Sequence, residues 1–397
     1  MFVETRIERF AERLKGAAIP LRFKLWNGRN IDLDARPAVT VKLASPGAVR
    51  YLLRPTLEKL GEAYVEGHLQ VEGPIREVVR VGAALAQATR ARLRRWPGVR
   101  TTAHSRGRDA KAIRYHYDVS NEFYRLWLDR HMAYSCAYFH DGTESIDTAQ
   151  EQKFDHICRK LRLAPGERFL DVGCGWSGLV CWAARHYGVQ ATGITLSRNQ
   201  HEYANARIRE LGLADRCEVL LQDYRDVPGE GSYDKIASIG MFEHVGLKNL
   251  PVYFGTIRRL LAERGLVMNH GITDNGGEAH GAAQFIGRYV FPDSELPRLS
   301  VALDQMANQD LEVIDVESLR FHYAQTLSHW TTRLEANREA ALEMVGDRRY
   351  RIWLVYLAGC AYAFEHGSIS IYQVVAAKAR RTGMAPVPWT RADLYAQ

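Results

Sequence analysis

Apolar runs long enough to span a bilayer are missing from this 397-residue chain. Charge interrupts each one well short of the ~18–20 residues that a spanning helix needs. The opening residues, Met1-Phe-Val-Glu-Thr-Arg-Ile-Glu-Arg9, carry charge where a secretory signal has its apolar middle. A soluble cytoplasmic protein is expected. Cysteine is scarce: Cys136, Cys158, Cys174, Cys181, Cys217 and Cys360 form no C-x-x-C pair. That spacing suggests neither a disulfide framework nor a zinc site, and no metal is expected. Internal repeats and low-complexity tracts are absent too. Charge is lopsided, at +7 with a pI near 9.0. This balance favours an anionic partner without choosing among nucleic acid, a phospholipid surface and an acidic small molecule.

Three stretches differ in pattern. Residues 1–88 have a charged amphipathic start, then runs of period two, Leu21-Arg-Phe-Lys-Leu-Trp26 and Val39-Thr-Val-Lys-Leu43, that predict strands. A helical stretch holding Leu52, Leu57, Leu60 and Tyr64 follows, so this part reads as a small α+β domain. Residues 89–114 form a basic linker, with nine Arg or Lys between Arg90 and Arg114 against Asp109 alone. A solvated loop is one reading of it. Contact with anionic head groups is the other, with Trp96 at the interface. Residues 115–397 start with aromatic runs and then alternate strand with helix from Asp147 to His270, which predicts a parallel doubly wound sheet. Beyond that, helices are expected over 301–308, 323–343 and 350–365.

The first strand of that sheet, Glu167–Val172, runs into Asp171-Val-Gly-Cys-Gly-Trp-Ser-Gly178. Gly173, Gly175 and Gly178 let the chain turn tightly while its amides approach a ligand. A dinucleotide site could use the same glycines. An acidic residue so near the loop suits a sulfonium nucleoside better, with Asp171 facing the cationic amino-acid end. After the second strand, where a dinucleotide site puts an acidic ribose partner, stands Thr195-Leu-Ser-Arg-Asn-Gln200. Thr195, Ser197 and Gln200 can still grip a nucleoside, and Ser197 can also cap a helix. Asp223 is placed to accept from the adenine amino group, with Gln222 beside it.

The chain resembles the cyclopropane fatty acid synthases. The residues carrying the resemblance are Tyr115-His-Tyr-Asp118, Tyr134-Ser-Cys-Ala-Tyr-Phe139, Leu170 to Gly178, Thr195-Leu-Ser197, Leu221-Gln-Asp-Tyr-Arg-Asp226, Gly240-Met-Phe-Glu-His-Val-Gly246 and Phe285-Ile-x-x-Tyr-x-Phe-Pro292. They spread from about Leu60 to Ala377. The resemblance implies a class I methyltransferase-like, Rossmann-like catalytic domain at 115–397 that uses S-adenosylmethionine, with Tyr134 and Ser135 joining the cofactor site. It further implies transfer of a methylene group to the cis double bond of unsaturated phospholipid acyl chains, with bound bicarbonate as the base. Carried over residue by residue, Cys136, Glu243, His270, Tyr323 and the amide of Ile272 would hold that ion. The logic is sound chemically, because an alkene attacking a sulfonium methyl leaves a carbocation that must lose a proton. Aromatic faces tolerate such a cation. Cys360 reads as packing.

The expected protein is thus a homodimeric enzyme, peripheral to the inner face of an anionic membrane, drawn there by the basic linker and the N-terminal apolar face. A methyl- or methylene-branched product, or a small-molecule acceptor, is the alternative outcome. A non-catalytic binding protein is disfavoured by the intact loop, and an extended nucleic-acid groove by the confinement of the basic residues to one segment.

Overall fold

Alternation of apolar and polar residues selects the strands, and apolar residues at helical spacing select the helices that cover them. The computed structural model describes residues 2–53, 55–89, 119–276, 280–291, 295–378 and 387–395. The run from Arg90 to Asp118, and so Trp96, nearly all of the basic linker and the Tyr115-His-Tyr-Asp118 motif, lies outside the described residues. In chain order the elements are α1 (Phe2–Leu14), β1 (Leu21–Lys24), β2 (Asn30–Asp32), β3 (Val39–Leu43), α2 (Arg50–Leu53), α3 (Leu57–Val65), β4 (Leu69–Glu72) and α4 (Ile75–Ala88). Next come α5 (Asn121–Arg125), α6 (Ile146–Lys160), β5 (Arg168–Val172), α7 (Gly178–Tyr187), β6 (Gln190–Thr195), α8 (Arg198–Glu210), β7 (Cys217–Leu221), β8 (Tyr233–Ile239) and α9 (Leu250–Leu260). The remainder is β9 (Leu261–Asp274), α10 (His280–Tyr289), α11 (Leu299–Ala307), β10 (Leu311–Ser318), α12 (Arg320–Ala336), α13 (Arg338–Glu365), β11 (Ile369–Lys378) and α14 (Ala392–Tyr395).

Contacts divide the chain into two units, neither continuous in sequence. The smaller comprises residues 1–102, 278–292 and 327–363; the larger comprises 103–277, 293–326 and 364–397. The smaller unit holds a four-stranded sheet ordered β2-β1-β3-β4, in which only β1 and β3 run parallel. Ile7, Phe10, Ala11 and Leu14 form one face of α1 and are buried with Leu21, Phe23, Val39 and Leu43. That apolar face, expected to meet a bilayer, is therefore occupied by the unit's own core. Pro55 separates α2 from α3 where one helical stretch is expected, and Thr56 caps α3 through the amide of Lys59. A second cluster joins Val65 of α3 to Phe285, Val290 and Ile352 from the two later segments. Glu66 is held there by Arg348 (2.8 Å) and by the Tyr289 hydroxyl (3.1 Å).

The larger unit is built on seven strands ordered β10-β11-β9-β8-β5-β6-β7. From β9 to β7 neighbours are parallel, as the strand-helix alternation implies. β10 and β11 are antiparallel additions, absent from the sequence reading. The reason is visible in β11: it lies between β10 and β9, nearly every residue is buried, and no two-residue alternation marks it. Phe169 and Leu170 face opposite layers, each packed under helices. The chain leaves β5 for β6 and β7, then returns to β8 on its other side. The crevice at the C-terminal end of β5 is thus a topological switch point, where α/β sheets bind ligands.

Close packing at the strand ends relies on missing side chains. A Cβ at Gly193 would lie 2.7 Å from Cys174 Sγ, and one at Gly271 would overlap the Phe242 ring. Gly271→Ala should cost about 1–3 kcal/mol through forced displacement of that ring. Urea denaturation checks this, and stability equal to wild type would refute the packing argument.

Candidate active site

Seven residues, Ala133 to Phe139, form the segment on which the site depends, and two helices grip it within the larger unit. From α6, Gln150 Nε2 donates to the carbonyls of Ala133 (3.3 Å) and Ser135 (2.9 Å), and Lys153 Nζ donates to Ser135 Oγ (2.9 Å). From α12, Thr326 Oγ1 accepts the Ala137 amide (3.0 Å) and His322 Nδ1 accepts the Phe139 amide (3.0 Å). The spacing of four places His322 and Thr326 on one face of the helix. Neutral His322 is required for that acceptance, and burial keeps its pKa below the usual value.

At the switch point lies an open cleft with room for about 130 Å³ of solvent. Its lining includes Tyr134, Ser135, Asp171, Gly173, Gly175, Gly178, Thr195, Gln200 and Gln222, nine of the eleven residues expected at the cofactor. The left-handed turn that aims its amides uses Gly173 (φ 81°), Gly175 (φ 55°) and, unusually for a residue with a side chain, Ser177 (φ 70°). Thr195 Oγ1 donates to Gln200 Oε1 (2.7 Å) and accepts the Ser197 amide (3.1 Å). Two expected residues are absent from the lining. Ser197 caps α8 through the Gln200 amide (3.4 Å), the second of the roles open to it. Asp223 is bound by Arg225, with Nη2 at 2.6 Å and Nε at 2.8 Å, which a local run in the sequence could not foretell. Conversely, Lys153 lines the cleft and was not singled out from the sequence, and Met241 and His244 line it from the Gly240–Gly246 motif, where the sequence reading assigned them no role. Tyr124, Trp127, Tyr134 and Trp176 pack ring on ring beside it, 4.8 Å between the Tyr124 and Trp176 centroids.

The five residues expected around the base are drawn together by backbone bonds. The Leu319 carbonyl accepts the Tyr323 amide (3.0 Å) and lies 3.8 Å from Cys136 Sγ, whose shorter contact is to the Ala137 carbonyl (3.2 Å). The Leu319 amide donates to Ile371, which pairs across the sheet with Ile272. The Ile272 amide donates to Glu243 Oε1 at 2.7 Å. That amide, expected to face an ion, is thus engaged by the carboxylate. His270 stands two residues before Ile272 and on the same face of β9, opposite Gln373 of β11. Tyr323 packs its ring on Phe364 at 4.8 Å.

Electrostatically this end of the sheet is dry. Burial raises Glu243 to about 7 against the opposing pull of the Ile272 amide, and Glu243 Oε2 has no hydrogen-bond partner. Burial and the positive charges of Lys153 and Lys160 push His270 well below its usual value, so the ring is neutral. The Gln373 side-chain amide lies 3.5 Å from Nδ1 of that ring, and Nε2 is the nitrogen on its other side. That nitrogen also has no partner. Burial likewise raises the Cys136 thiol, which excludes a thiolate, and takes Cys360, in the smaller unit, to about 12.

The sequence model described as mycolic acid cyclopropane synthetase matches residues 104–374. The chain belongs to that family. It is an S-adenosylmethionine-dependent methyltransferase of cyclopropane synthase type. A separate model, of a domain of unknown function, matches residues 11–91. The "Probable fatty acid methyltransferase" of Pseudomonas putida is 48% identical over 386 residues, covering 96% of this chain and 98% of that protein. The "Cyclopropane-fatty-acyl-phospholipid synthase" of Escherichia coli (strain K12) is 31% identical over 373 residues, 91% of this chain and 94% of that one. Among solved structures, mycolic acid cyclopropane synthase CmaA1 complexed with SAH and CTAB aligns with a TM-score of 0.65 at 33% identity, over 68% of this chain and 98% of that chain.

Thr326→Val keeps the shape of a fully buried side chain but strands the Ala137 amide. It should destabilise by about 1–3 kcal/mol, while Thr326→Ser stays near wild type. Chemical denaturation of both variants distinguishes loss of the hydroxyl from loss of volume.

Proposed function

We propose that this enzyme transfers a methylene group from S-adenosylmethionine to the cis double bond of unsaturated phospholipid acyl chains, forming cyclopropane fatty acids. The observation that carries the reading is the pair of buried groups without partners, Glu243 Oε2 and His270 Nε2, at one end of the sheet. Attack of an alkene on the sulfonium methyl leaves a carbocation that must lose a proton to a base, and loss from the transferred carbon closes the ring. One carboxyl oxygen and one ring N–H match the hydroxyl and an oxygen of bicarbonate. When bound, that ion would supply the base. Glu243 accepts its hydroxyl, His270 Nε2–H donates to it, and the Ile272 amide fixes the direction of Glu243 through Oε1. Cys136 and Tyr323 close the site on the side of the Leu319 carbonyl. Aromatic rings beside the cleft exclude water and tolerate transient positive charge.

Membrane engagement in this reading rests on the chain's net charge of +7 and the basic segment at 89–114. No helix among the described residues is long and apolar enough to cross a membrane, which fits peripheral attachment. Homodimerisation belongs to the same proposal, as does the assignment of residues 1–88 to lipid engagement, which cannot use the apolar face of α1 because the unit's own core occupies it. A second reading, a methyl- or methylene-branched product, is favoured by the name of the Pseudomonas putida relative. It differs in which carbon gives up the proton.

Purified protein incubated with S-adenosylmethionine, bicarbonate and vesicles of unsaturated phospholipid should yield acyl chains heavier by one CH2, with cyclopropane ring protons in the NMR spectrum. Olefinic methylene protons instead would establish the second reading, and no turnover on any unsaturated lipid would refute both. Glu243→Gln should reduce turnover by ~100-fold or more. The same substitution should also stabilise the fold at pH 8. Glu243 titrates near 7 folded and near 4.5 unfolded, so wild-type stability is intact below 4.5 and falls as pH rises towards 7. A neutral amide escapes that loss, worth about 1–3 kcal/mol. Melting temperatures measured from pH 4.5 to 8 should show the gap between variant and wild type widening with pH.

A further inference from the structure

The segment from Ala133 to Phe139 is gripped by titratable rings that the proposed chemistry does not use. Tyr138 lies between two imidazoles. His156 of α6 covers one face, with ring centroids 4.1 Å apart and planes at 21°, and His322 of α12 covers the other, at 4.8 Å and 11°. Tyr138 and His156 are buried and His322 is half-buried. The column ends on Glu317 of β10, whose Oε2 meets His156 Nε2 at 2.8 Å and Lys160 Nζ at 2.6 Å.

His322 differs from the other grips because its bond depends on a proton. A backbone amide can only donate, so the 3.0 Å bond from Phe139 requires a lone pair on Nδ1. Protonation would set two N–H groups against each other there. The grips of Thr326 and Gln150 carry no such condition. His156 from α6 and His140 from the loop after the segment oppose a proton on His322, while Glu317 from β10 and Glu144 from that loop favour one. Both carboxylates are already engaged: Glu317 by His156 and Lys160, Glu144 by the amides of His140, Asp141 and Gly142. Burial, the largest influence, keeps the pKa of His322 below the usual 6.5.

We infer that His322 is a positioning residue for the reaction: its neutral Nδ1 fixes Phe139 and, with the stacked Tyr138, the neighbouring Ser135 and Cys136, and a proton on that nitrogen releases them. The inference rests on this segment belonging to the reaction site. The hold is complete above pH 6.5 and is lost as pH falls through the lower pKa of the folded state. It gives activity an acid limit distinct from the titrations of Glu243 and Asp171, both near 7.

Two variants separate the ring from the acceptor. His322→Phe keeps a flat ring against Tyr138 and removes Nδ1. His322→Asn places Oδ1 where Nδ1 stands and removes both the ring and the titration. Hydrogen–deuterium exchange of peptides covering residues 133–139, read by mass spectrometry across acid to neutral pH and corrected for intrinsic rates, follows the hold without lipid. At neutral pH His322→Phe should exchange ~10-fold faster than wild type or more, and His322→Asn should recover most of that protection. As pH falls, wild type should loosen while His322→Asn stays level. With unsaturated phospholipid, kcat, counted as labelled methyl carbon transferred whatever the product, should fall ~10- to 100-fold in His322→Phe and recover in His322→Asn. Protection kept by Phe and lost by Asn would make His322 a packing ring only and overturn the inference. So would one pH dependence shared by wild type and His322→Asn, and so would faster exchange in His322→Phe with kcat unchanged. If His322→Phe does not fold, the comparison of wild type with His322→Asn decides. No turnover by wild type on any unsaturated lipid refutes the function proposed above, and exchange still decides whether His322 holds the segment.

Discussion

Desolvation is the constraint around which the larger unit is arranged. Asp171, Glu243, His270 and Lys153 are all nearly inaccessible to water, and each of the first three has a polar atom without a partner. A protein interior normally pairs such groups. Here the fold keeps them apart, with Asp171 on β5, Glu243 in the turn after β8, His270 on β9 and Lys153 on α6. The fold carries the resulting cost, visible as the raised carboxyl pKa values of Asp171 and Glu243, both to about 7. That cost has a use in chemistry that moves a cationic methyl group onto an alkene, since water at this point would quench the cation.

Holding unmatched groups in place requires that everything next to them be matched. The segment from Ala133 to Phe139 has backbone bonds to α6 on one side and α12 on the other. Tyr253 OH ties Ser238 Oγ (2.6 Å) on β8 to Asn269 Oδ1 (3.1 Å) on β9, just below His270. β11 fills the space beside β9 and provides Gln373, whose side-chain amide lies against Nδ1 of His270. The two antiparallel strands thus do more than widen the sheet. They deliver Leu319 and the start of α12 to the site, and with them Tyr323.

Much of the site was legible because its residues are contiguous or sit where strands end. The strand before Gly173 and the helix after Gly178 mark a switch-point loop by period and glycine spacing alone. Thr195 and Gln200 follow the second strand in the same way. What stayed hidden depends on side chains meeting across the sheet. Arg225 captures Asp223, an event of rotamer geometry between residues two apart. Lys153 reads as one more polar position on an amphipathic helix until α6 is laid against the glycine loop. The assignment of 278–292 and 327–363 to the smaller unit is equally beyond a linear reading, because those helices carry no mark of which core they join.

The sequence by itself determined the alternation of β5 to β9 with their helices, the glycine turn that opens the cleft, and the residue types able to bind a sulfonium nucleoside. These are local properties of period, backbone freedom and side-chain chemistry. Tertiary structure alone decided which polar groups have partners. Burial and hydrogen bonding depend on neighbours distant in sequence, and they convert Glu243, His270 and Asp171 from ordinary polar residues into unmatched ones.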